Sequence, residues 1–197
     1  MRHIFILFFP FYMLSQNVDC QYNFIKYDHV AEKIYLQLEP VTLDLYETPF
    51  NARIILANFI REGDQFFIEI EITTDSSAQD LEPICFERGN RLSFSLKNNK
   101  IINISQIEKK ICGIKVKNRK SGFITISNYA KFIITQYAYD ELLKSEIVMM
   151  KINGENYDKT IVLSEELIEV KNDKEVITNP SRFFIDNIEC MTNPKFD

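Results

Sequence analysis

The chain has 197 residues, and 46% of them are apolar, including 16 Phe and 9 Tyr. That supply of bulky side chains excludes a chain disordered by composition and suffices for one sizeable core. With 28 Asp+Glu against 23 Lys+Arg, the net charge of −5 is spread along the sequence. This balance excludes the basic footprint of a nucleic-acid binder and sets the protein against an anionic membrane surface.

The first predicted element is an address. Arg2 precedes the apolar run 4–14 (IFILFFPFYML), which is too short to cross a bilayer and has the form of a signal peptide's hydrophobic centre. Residues 1–20 are therefore expected to be a signal peptide cleaved between about 16 and 20, and residues 21–197 one β-rich domain. Cleavage after Ser15 or Gln16 leaves Cys20 in the mature chain, whereas cleavage after Cys20 removes it. Lipidation of Cys20 lacks the small residue expected just before it, because Asp19 stands there. The expected location is outside the cytoplasm: periplasm, cell surface or secreted. The mature chain is expected to carry no transmembrane segment.

The body is predicted to be strands. Ile34, Leu36 and Leu38 alternate with polar residues, as do Val41, Leu43 and Leu45. A strand over 52–60 and a turn at 61–64 lead to Phe66, Ile68, Ile70 and Ile72, which put one face in a core and show Glu69 and Glu71 to water. Residues 74–82 form a polar loop in this reading. Leu92, Phe94 and Leu96 share a face, and a turn centred on Asn98-Asn99 leads into a strand over 101–104. The pairs Ile114/Val116 and Ile124/Ile126 continue the meander, with the lysine-rich 115–120 as a solvated edge. Thr135 caps a short predicted helix over 136–144 with Leu142 and Leu143 inward. Strand returns over 146–152, followed by a turn at Asn153-Gly154. Asn179-Pro180 opens a C-terminal helix whose Phe184, Ile188 and Met191 make one stripe.

Catalytic chemistry finds little material. His29 is the one histidine left once the signal segment is removed, no G-x-S-x-G elbow accompanies it, and zinc sites needing two or three histidines are excluded by counting. Glu165, Glu166 and Glu169 are the densest acids, and a solvated face is the expected reading. Asp75, Ser77, Gln79, Asp80 and Glu82 offer oxygen ligands in one loop without the glycine and spacing of an EF-hand, so a plain polar loop is expected. Five glycines leave no phosphate-binding loop. No catalytic, cofactor-binding or metal residues are assigned. Asn103-Ile104-Ser105 matches a glycosylation sequon but falls in a predicted strand.

Four cysteines, Cys20, Cys85, Cys112 and Cys190, read as disulfides in an exported chain. A turn centred on Asn98-Asn99 sets Leu96 opposite Ile101 and Phe94 opposite Asn103. Carried outward, the same register sets Cys85 opposite Cys112, although the irregular stretches 87–90 and 108–110 interrupt the ladder. Cys85–Cys112 is the predicted disulfide. The partners of Cys20 and Cys190 stay open.

The run 91–104 (RLSFSLKNNKIINI), the element Ile111-Cys112-Gly113 and the run 132–152 (FIITQYAYDELLKSEIVMMKI) resemble a group of small exported β-rich proteins of unknown function from Gram-negative bacteria. The likeness extends over residues 50–190, and the chain departs from it in lacking an Asp-Gly or Asn-Gly turn after Leu96 and in carrying Cys85. The resemblance implies fold and export, and brings no catalytic residue.

The expected fold is mainly β: an antiparallel β-sandwich or flattened open barrel with a short helix near residue 140 and a C-terminal helix. The expected function is a non-enzymatic exported binding or interaction module of the cell envelope, its partner an envelope protein or glycan. The alternatives are a carbohydrate- or small-ligand-binding β-protein, with Tyr22, Tyr27, Tyr35 and Tyr46 as candidate stacking rings, and then a hydrolase using paired carboxylates.

Overall fold

The computed structural model describes residues 20–78, 80–171 and 174–194. The signal segment expected at the N-terminus, up to residue 19, and Gln79 of the polar loop lie outside them. Chain order begins β1 (Tyr22–Asp28), β2 (Lys33–Leu38), β3 (Val41–Thr48), β4 (Asn51–Glu62) and β5 (Gln65–Ser76). The two-residue β6 (Cys85–Phe86) precedes β7 (Arg91–Leu96), β8 (Ile101–Gln106), β9 (Ile111–Cys112), β10 (Ile114–Lys117) and β11 (Ile124–Ile134). Helix α1 (Gln136–Leu142) is followed by β12 (Ile147–Gly154), β13 (Tyr157–Val162), β14 (Leu167–Lys171) and β15 (Lys174–Thr178). A 3-10 turn (Pro180–Arg182) opens α2 (Phe183–Thr192).

Eleven strands form one antiparallel sheet in the order β1-β2-β4-β5-β11-β8-β7-β12-β13, with β3 also on β4 and β10 also on β11. The long strands β4, β5 and β11 are its spine. Their inward positions are Ile55, Ala57 and Phe59, then Ile68, Ile70 and Ile72, then Ala130 and Phe132, all at most 2% exposed. Right-handed twist folds so wide a sheet over on itself. Phe183 of α2 fills the space between its halves, with ring centroids 5.6 Å from Phe59 of β4 and 6.2 Å from Phe94 of β7. The sheet path ends at β1 and β13 and does not close, so the architecture is the expected sandwich-like open barrel rather than a closed one.

The helices sit where their signals place them. Thr135 Oγ1 accepts from the Ala138 N–H at 3.2 Å, and Leu142 is fully buried. Leu143, expected inward, is 37% exposed, because the helix ends at Leu142 and the chain turns away there. Phe184, Ile188 and Met191 of α2 are buried, and Arg61 Nη1 donates to the Met191 and Thr192 carbonyls at the helix's C-terminal end.

Two turns and one loop differ from expectation in instructive ways. The β7–β8 loop has three residues, Lys97-Asn98-Asn99, with Asn99 left-handed at φ 65°, and the Leu96 N–H donates to the Lys100 carbonyl at 2.9 Å. The register is therefore Ser95 opposite Ile101 and Phe94 opposite Ile102, one residue away from the expected pairing. The observed pairing sets buried Phe94 beside buried Ile102; the expected one would have set it beside the exposed Asn103. The β12–β13 turn uses Glu155-Asn156, with Asn156 at φ 57°, instead of Asn153-Gly154. Strand β5 runs on to Ser76, so Thr74 and Asp75 belong to the sheet rather than to a loop.

Two acid groups are less solvated than their sequence context suggests. Glu69 and Glu71 are half-buried on the outer face; Glu69 accepts from Asn58 Nδ2 and Glu71 from the Tyr129 hydroxyl. Glu165 and Glu166 are exposed, but Glu169 on β14 is only 8% exposed and accepts from Thr42 Oγ1 at 2.9 Å. The β14–β15 hairpin turns that face of β14 onto β3, which takes Glu169 out of water.

A cleft at the open end of the sandwich

The inward face changes character along the spine. On β4 the stripe Phe59, Ala57, Ile55 continues into Arg53 and Asn51; on β5 Ile72 is followed by Thr74; on β11 Phe132 and Ala130 give way to Asn128. Helix α2 fills the interior at the phenylalanine end. At the polar end a cleft of 530 Å³ opens, within the size range of small-molecule sites. Ile72, Ile84 and Ile126 supply its apolar surface, and Tyr46 and Tyr157 contribute rings.

The charges of the cleft are balanced pair by pair. Arg53 Nη2 donates to Asp44 Oδ2 at 2.8 Å, and its guanidinium lies 5.9 Å from the Tyr46 ring centre. Lys110 pairs with Glu155, and Lys115 Nζ pairs with Glu82 at 2.9 Å. Every charged residue lining the cleft thus faces an opposite charge.

Its hydrogen-bonding capacity is not balanced in the same way. Asn51 Oδ1, Arg53 Nε and the Tyr157 hydroxyl are buried, each with under 1 Å² exposed, and none has a hydrogen-bond partner among the described residues. They lie just beneath the cleft surface, on side chains that line it. Burial pushes the Tyr157 hydroxyl above its ordinary pKa, so it stays protonated and can donate. Each such orphan costs about 1–3 kcal/mol. Three in one cleft is a concentration of unmet hydrogen bonding.

The lining segment 81–85 is fixed in place. Asn128, 2% exposed, accepts from the Ile84 N–H at 2.7 Å and donates to the Ile72 carbonyl at 3.1 Å. The Gly113 N–H donates to the Ile84 carbonyl at 3.0 Å, and the Glu155 N–H to the Cys85 carbonyl at 2.8 Å. Gly154 permits the approach of β12: a β-carbon there would lie 3.0 Å from Ile84 Cγ2 and from Phe86 Cε1. This close approach, rather than a turn, is what the glycine serves.

Cys85 and Cys112 stand opposite each other on β6 and β9 and are joined, with a Cα separation of 4.0 Å. The predicted pair is present although the β7–β8 register lies one residue away from the expected one. An extra residue in the stretch between β8 and β9 shifts the ladder back, so that the two offsets cancel. Cys20 and Cys190 form a second bond, Cα to Cα 5.6 Å, tying the chain ahead of β1 to α2.

Of the four candidate stacking tyrosines, only Tyr46 lines the cleft. His29 is exposed in the β1–β2 turn, edge-on to Tyr27, and is not among the residues lining the cleft. Asp75 accepts from Thr125 Oγ1, and among the described residues no three acid, histidine or cysteine side chains converge as a metal cage. Asn103 of the sequon is exposed on β8, its Oδ1 accepting from Ser93 Oγ. Asn51, Arg53, Asn128 and Tyr157 were not singled out from sequence; the available signal was the switch from apolar to polar at inward positions of β4 and β11. No family profile, no curated protein and no solved structure matches the chain.

Proposed function

We propose that the protein is an exported, non-enzymatic binding module that holds a small uncharged ligand in the cleft at the open end of the sandwich. The observation that carries this reading is the set of three unpartnered polar atoms, on Asn51, Arg53 and Tyr157, in a cleft whose 81–85 lining segment is braced. A ligand offering both donors and acceptors satisfies them, and the desolvation already suffered by these groups becomes binding energy. Paired charges favour an uncharged ligand, since a charged one must compete with an existing partner for each ion. Of the functions expected from sequence, the small-ligand reading is thus preferred over a flat protein-interaction surface. Two disulfides support export, because such bonds persist in oxidising compartments.

The test is a screen of uncharged small molecules against isotope-labelled mature protein, read by amide chemical shifts. Perturbations are expected to cluster on residues 44–53, 72–74 and 126–128 and on Tyr157. Hits scattered over the surface, or concentrated away from the cleft, would overturn the reading.

A further inference from the structure

The hairpin between β3 and β4 borders the cleft and carries two aromatic residues in the open. Tyr46 is 49% exposed and Phe50 is 70% exposed. Phe50 occupies a two-residue turn fixed by Thr48, whose Oγ1 accepts from the Phe50 and Asn51 N–H groups and donates to the Asn51 carbonyl. A phenylalanine held so far into water, next to a cleft-lining residue, loses hydrophobic stabilisation unless something covers it.

We infer that the ligand is a neutral oligosaccharide, with a terminal sugar ring in the cleft and the next ring against Tyr46 and Phe50. This rests on the binding reading above. Sugar hydroxyls each donate one hydrogen bond and accept others, which matches a wall presenting an orphan acceptor on Asn51 beside orphan donors on Arg53 and Tyr157. The C–H faces of a pyranose match Ile72, Ile126 and the rim rings, and its lack of charge matches a cleft whose ions are already paired. Because the three orphan atoms lie beneath the surface, seating the ring turns the Arg53 and Tyr157 side chains toward it, a rotamer-scale adjustment common at binding sites.

Calorimetry and amide-shift mapping with neutral di- to tetrasaccharides of hexoses and N-acetylhexosamines test the inference, with capped tripeptides and uncharged aromatic amides as counter-probes. The expected result is cleft-localised binding of at least one saccharide. Tyr157→Phe should weaken it about tenfold, the worth of one hydrogen bond. Phe50→Ala should weaken the longer saccharides roughly threefold to tenfold and leave the shortest nearly unaffected. Cleft binding by the peptide or amide probes with none by saccharides overturns the ligand class and leaves the binding site standing. Absence of cleft binding by every probe overturns both. Saccharide binding unchanged in both variants places the sugar elsewhere and also overturns the inference.

Discussion

Gly113 and Asn128 pack so closely that a β-carbon at position 113 would lie 2.1 Å from Asn128 Oδ1 and 2.8 Å from the Ser127 carbonyl. Asn128 is the hub that pins the 81–85 wall to β5, and glycine at 113 is the condition for its placement. Gly113→Ala should therefore destabilise the protein by roughly 2 kcal/mol, by overpacking against backbone. Asn128→Ala should cost about 3 kcal/mol by stranding the Ile84 N–H and the Ile72 carbonyl. The double variant should cost less than the two together, because one junction is lost twice. Urea unfolding of the three variants checks this; simple additivity would contradict it.

The disulfides should differ in weight. Cys20–Cys190 has a sequence separation of 170 and Cys85–Cys112 one of 27. Chain entropy gives roughly 5 kcal/mol for the first and roughly 3.5 kcal/mol for the second. Replacing each pair by Ala and measuring unfolding should show the larger loss for the first. The same bond bears on processing: an exported chain that uses Cys20 must be cut before it. N-terminal sequencing of exported protein should start between Asn17 and Cys20; a start at Gln21 would contradict the bond's presence in the mature protein.

Glu69 gives the stability a pH signature. Burial raises its pKa above the usual 4.5, outweighing the Asn58 hydrogen bond and the Lys131 charge. A carboxyl raised in the folded state binds its proton more tightly there, so the wild type loses stability as pH rises from 4.5 through the raised value, and the deficit persists above it. Glu69→Gln should raise stability at pH 7 by up to about 1 kcal/mol, limited by solvent screening. The gain should vanish below pH 4.5. A gain independent of pH would show that Glu69 is destabilising for some other reason.

Much of the sheet was legible because period-2 alternation is a local consequence of one buried face. Ile68, Ile70 and Ile72 could be placed from spacing alone; Thr135 marked a helix start by its capping hydroxyl, and Pro180 by its fixed φ at the first position of the 3-10 turn that opens α2. The hairpin after Leu96 was misregistered because Asn98 and Asn99 both tolerate left-handed backbone, and only the tertiary pairing selects Asn99. Glu169 was misjudged because a charge run does not disclose that its hairpin folds back on Thr42. The cleft was hardest to see. Its polar wall is assembled from β4 and β13, separated by more than a hundred residues, and nothing local to Arg53 announces Tyr157.

The most direct test needs no ligand. If the cleft keeps polar groups unsatisfied for a ligand to meet, removing one should stabilise the empty protein, since stability is then traded for binding. The measurement is the unfolding free energy of Tyr157→Phe without added ligand. A gain of about 1 kcal/mol over wild type is expected, as an orphan hydroxyl disappears and the ring stays packed. A loss of similar size would show that the Tyr157 hydroxyl is already bonded in the empty protein and would contradict the claim that this wall is built for a ligand.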